Sequence, residues 1–198
     1  DQVKSLILAG HETTSLVLTW TMYLLAGAPE VLARLVAEVR TVLGGRAPGP
    51  EDVPRLVYTR MVLLEAMRLY PPVPAVTRTA LAADDLDGVK IAAGTKVSIL
   101  PYVTHRLAEF WPRPDEFDPE RFAPDKLEGL EPFSYLPFLL GRRACLGEHF
   151  AMLESVVALA MIVGRYQLTR SEQGKIDTRP ISTLRLARPL MMRVERRG

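Results

Sequence analysis

The densest chemistry in the chain lies in the run Phe138-Leu139-Leu140-Gly141-Arg142-Arg143-Ala144-Cys145-Leu146-Gly147. Cys145 is the only cysteine, so it enters no disulfide and no cysteine zinc cluster within the chain. Gly141 and Gly147 bracket it and permit positive φ or close backbone approach to a flat ligand. A helical pattern starts directly after Gly147. A thiolate at a helix N-terminus is stabilised by the dipole and by unpaired N–H groups. Arg143, two residues before the thiol, can pair with an anionic group of a ligand. Such a loop is able to present one sulfur to a metal; the same residues also suit a buried, inert cysteine beside a helix cap.

Glu65-Ala66-Met67-Arg68 forms a second group, in which a spacing of three puts acid and guanidinium on one helix face. Leu63, Leu64, Met67 and Leu69 surround the pair. It reads either as a surface ion pair or as a partly buried one that needs further partners. The third group is Ala9-Gly10-His11-Glu12-Thr13-Thr14. Gly10 inside a helical pattern costs about 1 kcal/mol relative to Ala, which points to ligand approach or helix distortion. Glu12 and Thr13 set an acid and a hydroxyl beside it. A zinc-protease motif is excluded, because Ser15 stands where the second His is required. His105 and His149 read by themselves as hydrogen-bonding partners, not as a metal cluster. Neither common phosphate-binding glycine pattern occurs.

These groups need elements to position them. Residues 1–28 predict one long helix, with Val3, Leu6, Ile7, Gly10, Thr14, Val17 and Leu18 at helical spacing. Pro29 opens a second helix that runs to Leu43 and stops at Gly44-Gly45. The proline-rich stretch 46–54 is a loop. A third helix covers roughly Leu56 to Tyr70 and is halted by Pro71-Pro72. Val76–Ala80 and Val97–Ile99 alternate as short strands, with a turn at Asp84–Gly88. Pro101–Pro137 reads as an ordered, irregular segment. Helical periodicity returns over Glu148–Arg165, and the last thirty residues suggest two or three short strands. The expected class is mainly α with small β-sheets, without a linker that would divide it.

Composition agrees with a globular chain: 198 residues, 48% apolar, 24% charged and a net charge of +2. There is enough apolar material for a core, which excludes disorder as the main state. The even charge balance excludes a nucleic-acid or membrane-surface reading. The longest charge-free run, Thr13 to Pro29, carries several hydroxyls and falls short of a membrane span. A lone thiol suits a reducing compartment, and no secretory signal opens the chain, so a soluble cytoplasmic location is expected. The chain begins at Asp1 directly within an apolar-periodic segment and reads as cut inside a helix.

In order and spacing, Ala9–Thr14, Glu65–Arg68, Pro119-Glu120-Arg121-Phe122 and Phe138–Gly147 together resemble the cytochrome P450 superfamily of haem-thiolate monooxygenases. Matching segments cover nearly the whole chain, while family members are about twice this length. The resemblance, which is to soluble bacterial members, implies that residues 1–198 are a single partial domain. It would be the C-terminal half of the fold, from the long central distal helix through the cysteine loop and following helix, with the N-terminal half absent. It implies haem b (iron protoporphyrin IX) with Cys145 as axial thiolate, donating electron density that favours O–O cleavage. Arg143, with Arg78 and His105, would contact haem propionates, and Phe138, Gly141 and Gly147 would shape the loop. Ala9 and Gly10 would leave room for dioxygen and substrate, and Glu12 and Thr13 would deliver protons. Glu65, Arg68 and Arg121 would form a buried triad that braces the cysteine loop. Val73, Ala75 and Val76 would line the pocket of a small lipophilic substrate.

The implied reaction inserts one atom of dioxygen into a C–H bond or alkene. Its electrons would come from a ferredoxin- or reductase-type donor docking near Arg142. The resemblance implies no nucleic-acid partner and no membrane segment in this chain. Two other readings stand beside it: a truncated, catalytically inert chain, and a haem-thiolate peroxygenase or isomerase, against which the Glu12-Thr13 pair counts. One residue departs from the pattern. The family usually places Gly directly after the Phe of the cysteine loop, and here that residue is Leu139.

Overall fold

In a computed structural model the chain is described over residues 2–172 and 174–198, with side chains described at Lys4 and from Ile7 onward. Asp1 and the side chains of Val3 and Leu6, which belong to the predicted first stripe, lie outside the described residues. Three long helices come first: α1 (Gln2–Leu25), α2 (Pro29–Leu43) and α3 (Val57–Leu69). The predicted first helix ends three residues early, where Ala26–Ala28 form a turn bonded back to Met22, Leu24 and Leu25. Pro29 occupies the first turn of α2, and Gly44 ends it with φ 56°, its N–H returning to the Arg40 carbonyl. α3 ends at Tyr70 before Pro71-Pro72.

β1 (Val76–Thr79) pairs antiparallel with β4 (Lys96–Ile99), Val76 opposite Ile99. Between them β2 (Asp84–Leu86) and β3 (Val89–Ile91) form a second ribbon. The predicted turn at Asp84–Gly88 is therefore a hairpin. Asp87 and Gly88 both adopt positive φ (51° and 87°), the geometry that matches strand twist in a two-residue loop. The predicted irregular segment contains single helical turns, each opened by a proline: α4 (Pro101–Thr104), a 3-10 turn over Pro119–Phe122, and α5 (Pro124–Leu127). After these comes α6 (Glu148–Arg165). β5 (Tyr166–Arg170) pairs with β8 (Met192–Arg196), and β6 (Thr178–Pro180) with β7 (Leu184–Leu186).

The core is built on α3. Residues Met61 to Leu69 are buried without interruption, so over this stretch the helix is apolar all round except for Glu65 and Arg68. Leu35 and Val39 of α2, Val17 and Met22 of α1, and Leu159 and Val163 of α6 pack around it. The architecture is helical with small two-stranded antiparallel sheets, as the sequence predicts. Among the described residues no single helix is long and apolar enough to cross a membrane.

Candidate active site

Cys145 is exposed, two residues before the Gly147 that caps α6. Its N–H donates to the Phe138 carbonyl at 2.9 Å, closing the loop around a 3-10 turn over Gly141–Arg143. Gly141 needs its glycine, with φ 70°. Leu139, the departure from the family pattern, also sits in the left-handed region at φ 59°, where a side chain costs energy. Around the thiol, Leu146 is 98% exposed, Phe150 69% and Leu140 55%. Among the described residues there is no cluster of three or more metal-ligating groups. A metal held by Cys145 must therefore bring most of its own ligands. Large apolar side chains beside one sulfur, with the exposed Arg143 at hand for an acid group, fit an iron porphyrin.

The predicted triad does assemble. Arg68 and Glu65 are both fully buried and paired twice, Nε to Oε2 at 2.6 Å and Nη2 to Oε1 at 2.9 Å. Arg121 adds an ion pair to Glu65 Oε1 at 3.4 Å, and the Asp118 N–H donates to the same oxygen. Burial raises the Glu65 pKa, while the Arg68 guanidinium and the Asp118 amide pull it down. Arg68 also donates to the carbonyls of His105, Pro114 and Glu116. Every donor direction of a costly buried guanidinium is thus used.

The expected role of His105 needs correction. It is fully buried, with its pKa pushed down to about 4 by desolvation. Its Nδ1–H donates to the Arg68 carbonyl at 3.2 Å, and Nε2 accepts the Leu136 N–H at 2.7 Å. Both ring nitrogens are occupied, so neither faces a propionate. His105 instead ties α3 to the strand of chain entering the cysteine loop. Two residues that sequence reasoning missed add to this: Tyr135 Oη–H donates to the Leu64 carbonyl of α3, and Trp111 Nε1–H holds the same segment through the Ser134 carbonyl. Their only sequence signal was an aromatic, proline-rich setting.

α1 runs unbroken through Gly10, and a Cβ there would meet nothing within 4 Å. The Thr13 hydroxyl donates to the Ala9 carbonyl at 2.7 Å. The Glu12 carboxylate reaches across to the β6–β7 hairpin. Its Oε1 accepts from the Thr183 hydroxyl and from Arg185 Nε at 2.9 Å, and it forms an ion pair with Arg185 Nη2 at 2.7 Å. The Thr183 and Arg185 hydrogen bonds hold Glu12 below the usual carboxylate range. Neither partner was visible in the sequence pattern. The hairpin is fastened on both sides: Trp20 Nε1–H donates to the Leu184 carbonyl, and the Leu184 N–H to the Pro72 carbonyl. That carbonyl lies next to the expected pocket residues, of which Val73 and Val76 are half-buried and Ala75 exposed. Arg78 is exposed on β1, and the one hydrogen bond of its side chain among the described residues is to the Thr77 carbonyl.

The family model described as Cytochrome P450 matches residues 1–194. The chain is 47% identical to cyclooctatin synthase of Streptomyces melanosporofaciens over 192 residues, which is 97% of this chain and 42% of that protein. It is 38% identical to the chloroplastic carotene epsilon-monooxygenase of Arabidopsis thaliana, over 100% of this chain and 37% of that protein. In three dimensions it superposes on the crystal structure of cytochrome P450DA heme domain with a TM-score of 0.94 and 35% identity, covering all of this chain and 44% of that one. The chain thus spans less than half the length of the relatives it matches. With a family match along nearly its whole length, a single thiol looped onto a helix start and a buried acid–arginine pair, the chain belongs to the cytochrome P450 family.

Proposed function

We propose that residues 1–198 form a single partial domain, the thiolate-bearing part of a haem monooxygenase. It inserts one oxygen atom of dioxygen into a lipophilic substrate with electrons from a redox partner. The carrying observation is Cys145, a lone exposed thiol held at the start of α6 by its own amide bond to Phe138. When bound, haem b supplies the oxygen chemistry, with Cys145 as the residue holding its iron and the thiolate favouring O–O cleavage.

The chain's own residues do the rest. Arg143 would pair with a haem carboxylate, and Phe138, Gly141 and Gly147 would shape the loop that holds the group. Ala9 and Gly10 leave space along α1. Glu12 and Thr13 hold and pass protons, Glu12 from its carboxylate and Thr13 from its hydroxyl. Val73, Ala75 and Val76 offer small apolar side chains that exclude water beside a lipophilic substrate; the relative named for carotene agrees with that substrate class. Arg142 contributes to a basic docking face for a ferredoxin- or reductase-type donor.

Reduction of the haem-loaded protein under carbon monoxide tests the reading. The expected result is the red-shifted Soret band of a thiolate-ligated haem, lost in Cys145→His. Persistence of that band in the variant would remove Cys145 from the role. Thr13→Ala is expected to raise peroxide release per electron consumed while haem uptake stays unchanged, and unaltered coupling would sink the proton-transfer role.

A further inference from the structure

We propose that Arg185 and Thr183 are positioning residues that moor Glu12 through one carboxylate oxygen, leaving the other as the oxygen that takes up and releases protons. The inference rests on the reading of Glu12 as a proton carrier and names two residues that reading does not contain.

The geometry is one-sided. The Thr183 hydroxyl and Arg185 Nε both donate to Oε1, and Arg185 Nη2 forms an ion pair with the same oxygen. Among the described residues nothing donates to Oε2. The Glu12 side chain is 35% exposed, so its carboxylate is not sealed from water. The mount is rigid: Thr183 is buried at 8% exposure, Ile181 N–H bonds to the Thr183 carbonyl, and Leu184 is bonded on both sides. Trp20, which holds the Leu184 carbonyl, is fully buried and stacked on Tyr70 at 3.8 Å.

Charge favours the same arrangement. Arg179 stands directly opposite Arg185 in the hairpin register, and like charges so placed repel. Glu12 supplies the counter-charge from α1. The charged groups facing its carboxylate are Arg185 from β7 and His11 from its own helix. In the cycle, a hydronium ion of the solvent gives up a proton to Oε2 and leaves as water; the new O–H bond neutralises the carboxylate while Oε1 stays anchored. That O–H bond then breaks toward the reacting centre, and the ion pair with Arg185 is restored.

The test uses the haem-loaded protein. In Arg185→Ala the acid limb of the pH profile for coupled turnover is expected to rise by about one pH unit, an about tenfold change in protonated Glu12 at fixed pH. Thr183→Val is expected to move it the same way by less, and Arg185→Lys to return it toward the parent. Haem uptake and the carbon-monoxide band should be unchanged in each, which separates failure here from failure of the oxygenase reading. If Arg185→Ala does not load haem, Thr183→Val and Arg185→Lys carry the comparison. A second readout needs no turnover: a double-mutant cycle of Glu12→Gln and Arg185→Gln followed by denaturant midpoint, expected to be non-additive. Additive midpoints, or an unmoved acid limb in both Arg185→Ala and Thr183→Val, would overturn the proposal.

Discussion

Leu139 holds a φ of 59° one residue after Phe138, whose carbonyl closes the cysteine loop. An unbranched Cβ tolerates that region at a cost, but a β-branched one clashes with its own backbone. Leu139→Ile is therefore expected to destabilise the haem-loaded protein by about 1–3 kcal/mol, whereas Leu139→Asn adds no backbone strain; thermal unfolding of the pair checks this. His105 makes a prediction in pH. Its folded pKa of about 4 lies below the ordinary 6.5, so the unfolded chain binds the extra proton first. Its contribution is complete above about pH 6.5 and is lost as pH falls toward 4, up to about 3 kcal/mol. Unfolding free energy measured across that window should fall less steeply in His105→Gln. Cys145, Glu65 and Arg68 were legible because each carries its chemistry within a few neighbours. Thr183 and Arg185 were not, since their partner Glu12 lies 171 and 173 residues away and only the fold brings them together.

Among the elements, α3 depends on help from outside its own sequence. Leu56 precedes it and offers no side-chain cap. Glu38, on α2, takes that place: its carboxylate accepts from the N–H groups of Tyr58 and Thr59 at 2.6 and 2.8 Å and from the Thr59 hydroxyl at 2.7 Å. Glu38→Ala is expected to cost about 1–2 kcal/mol, the range of a lost N-cap, read as a lower denaturation midpoint. Further along α3, Glu65→Gln strips the counter-charge from buried Arg68 and from Arg121. About 3–5 kcal/mol of destabilisation is expected, with the 134–136 segment loosening because it hangs on the same helix. Helix limits were readable from Pro29, Gly44 and Pro71, whose backbone restrictions act locally. The 84–91 hairpin read as a bare turn because Asp-rich flanks hide strand alternation. The single turns between 101 and 127 are too short to show a period.

On the scale of the molecule, the apolar surface is unevenly distributed. Ile7 and Leu8 on α1, Leu140, Leu146 and Phe150 around the thiol, and Leu81 beyond β1 are all more than half exposed. A chain of these 198 residues in isolation is expected to bind the dye ANS strongly, and haem addition should lower that signal if the ring covers the side chains beside Cys145. Among the described residues the strands form four ribbons, each two strands wide. The strands therefore keep a rail of amides turned away from their partners, except where a loop covers it, as the Pro72 carbonyl does at Leu184 of β7. In heavy water those outward amides should trade hydrogen for deuterium early, while the enclosed amides of α3 stay protonated longest, leaving a labelled rim around a slow central rod.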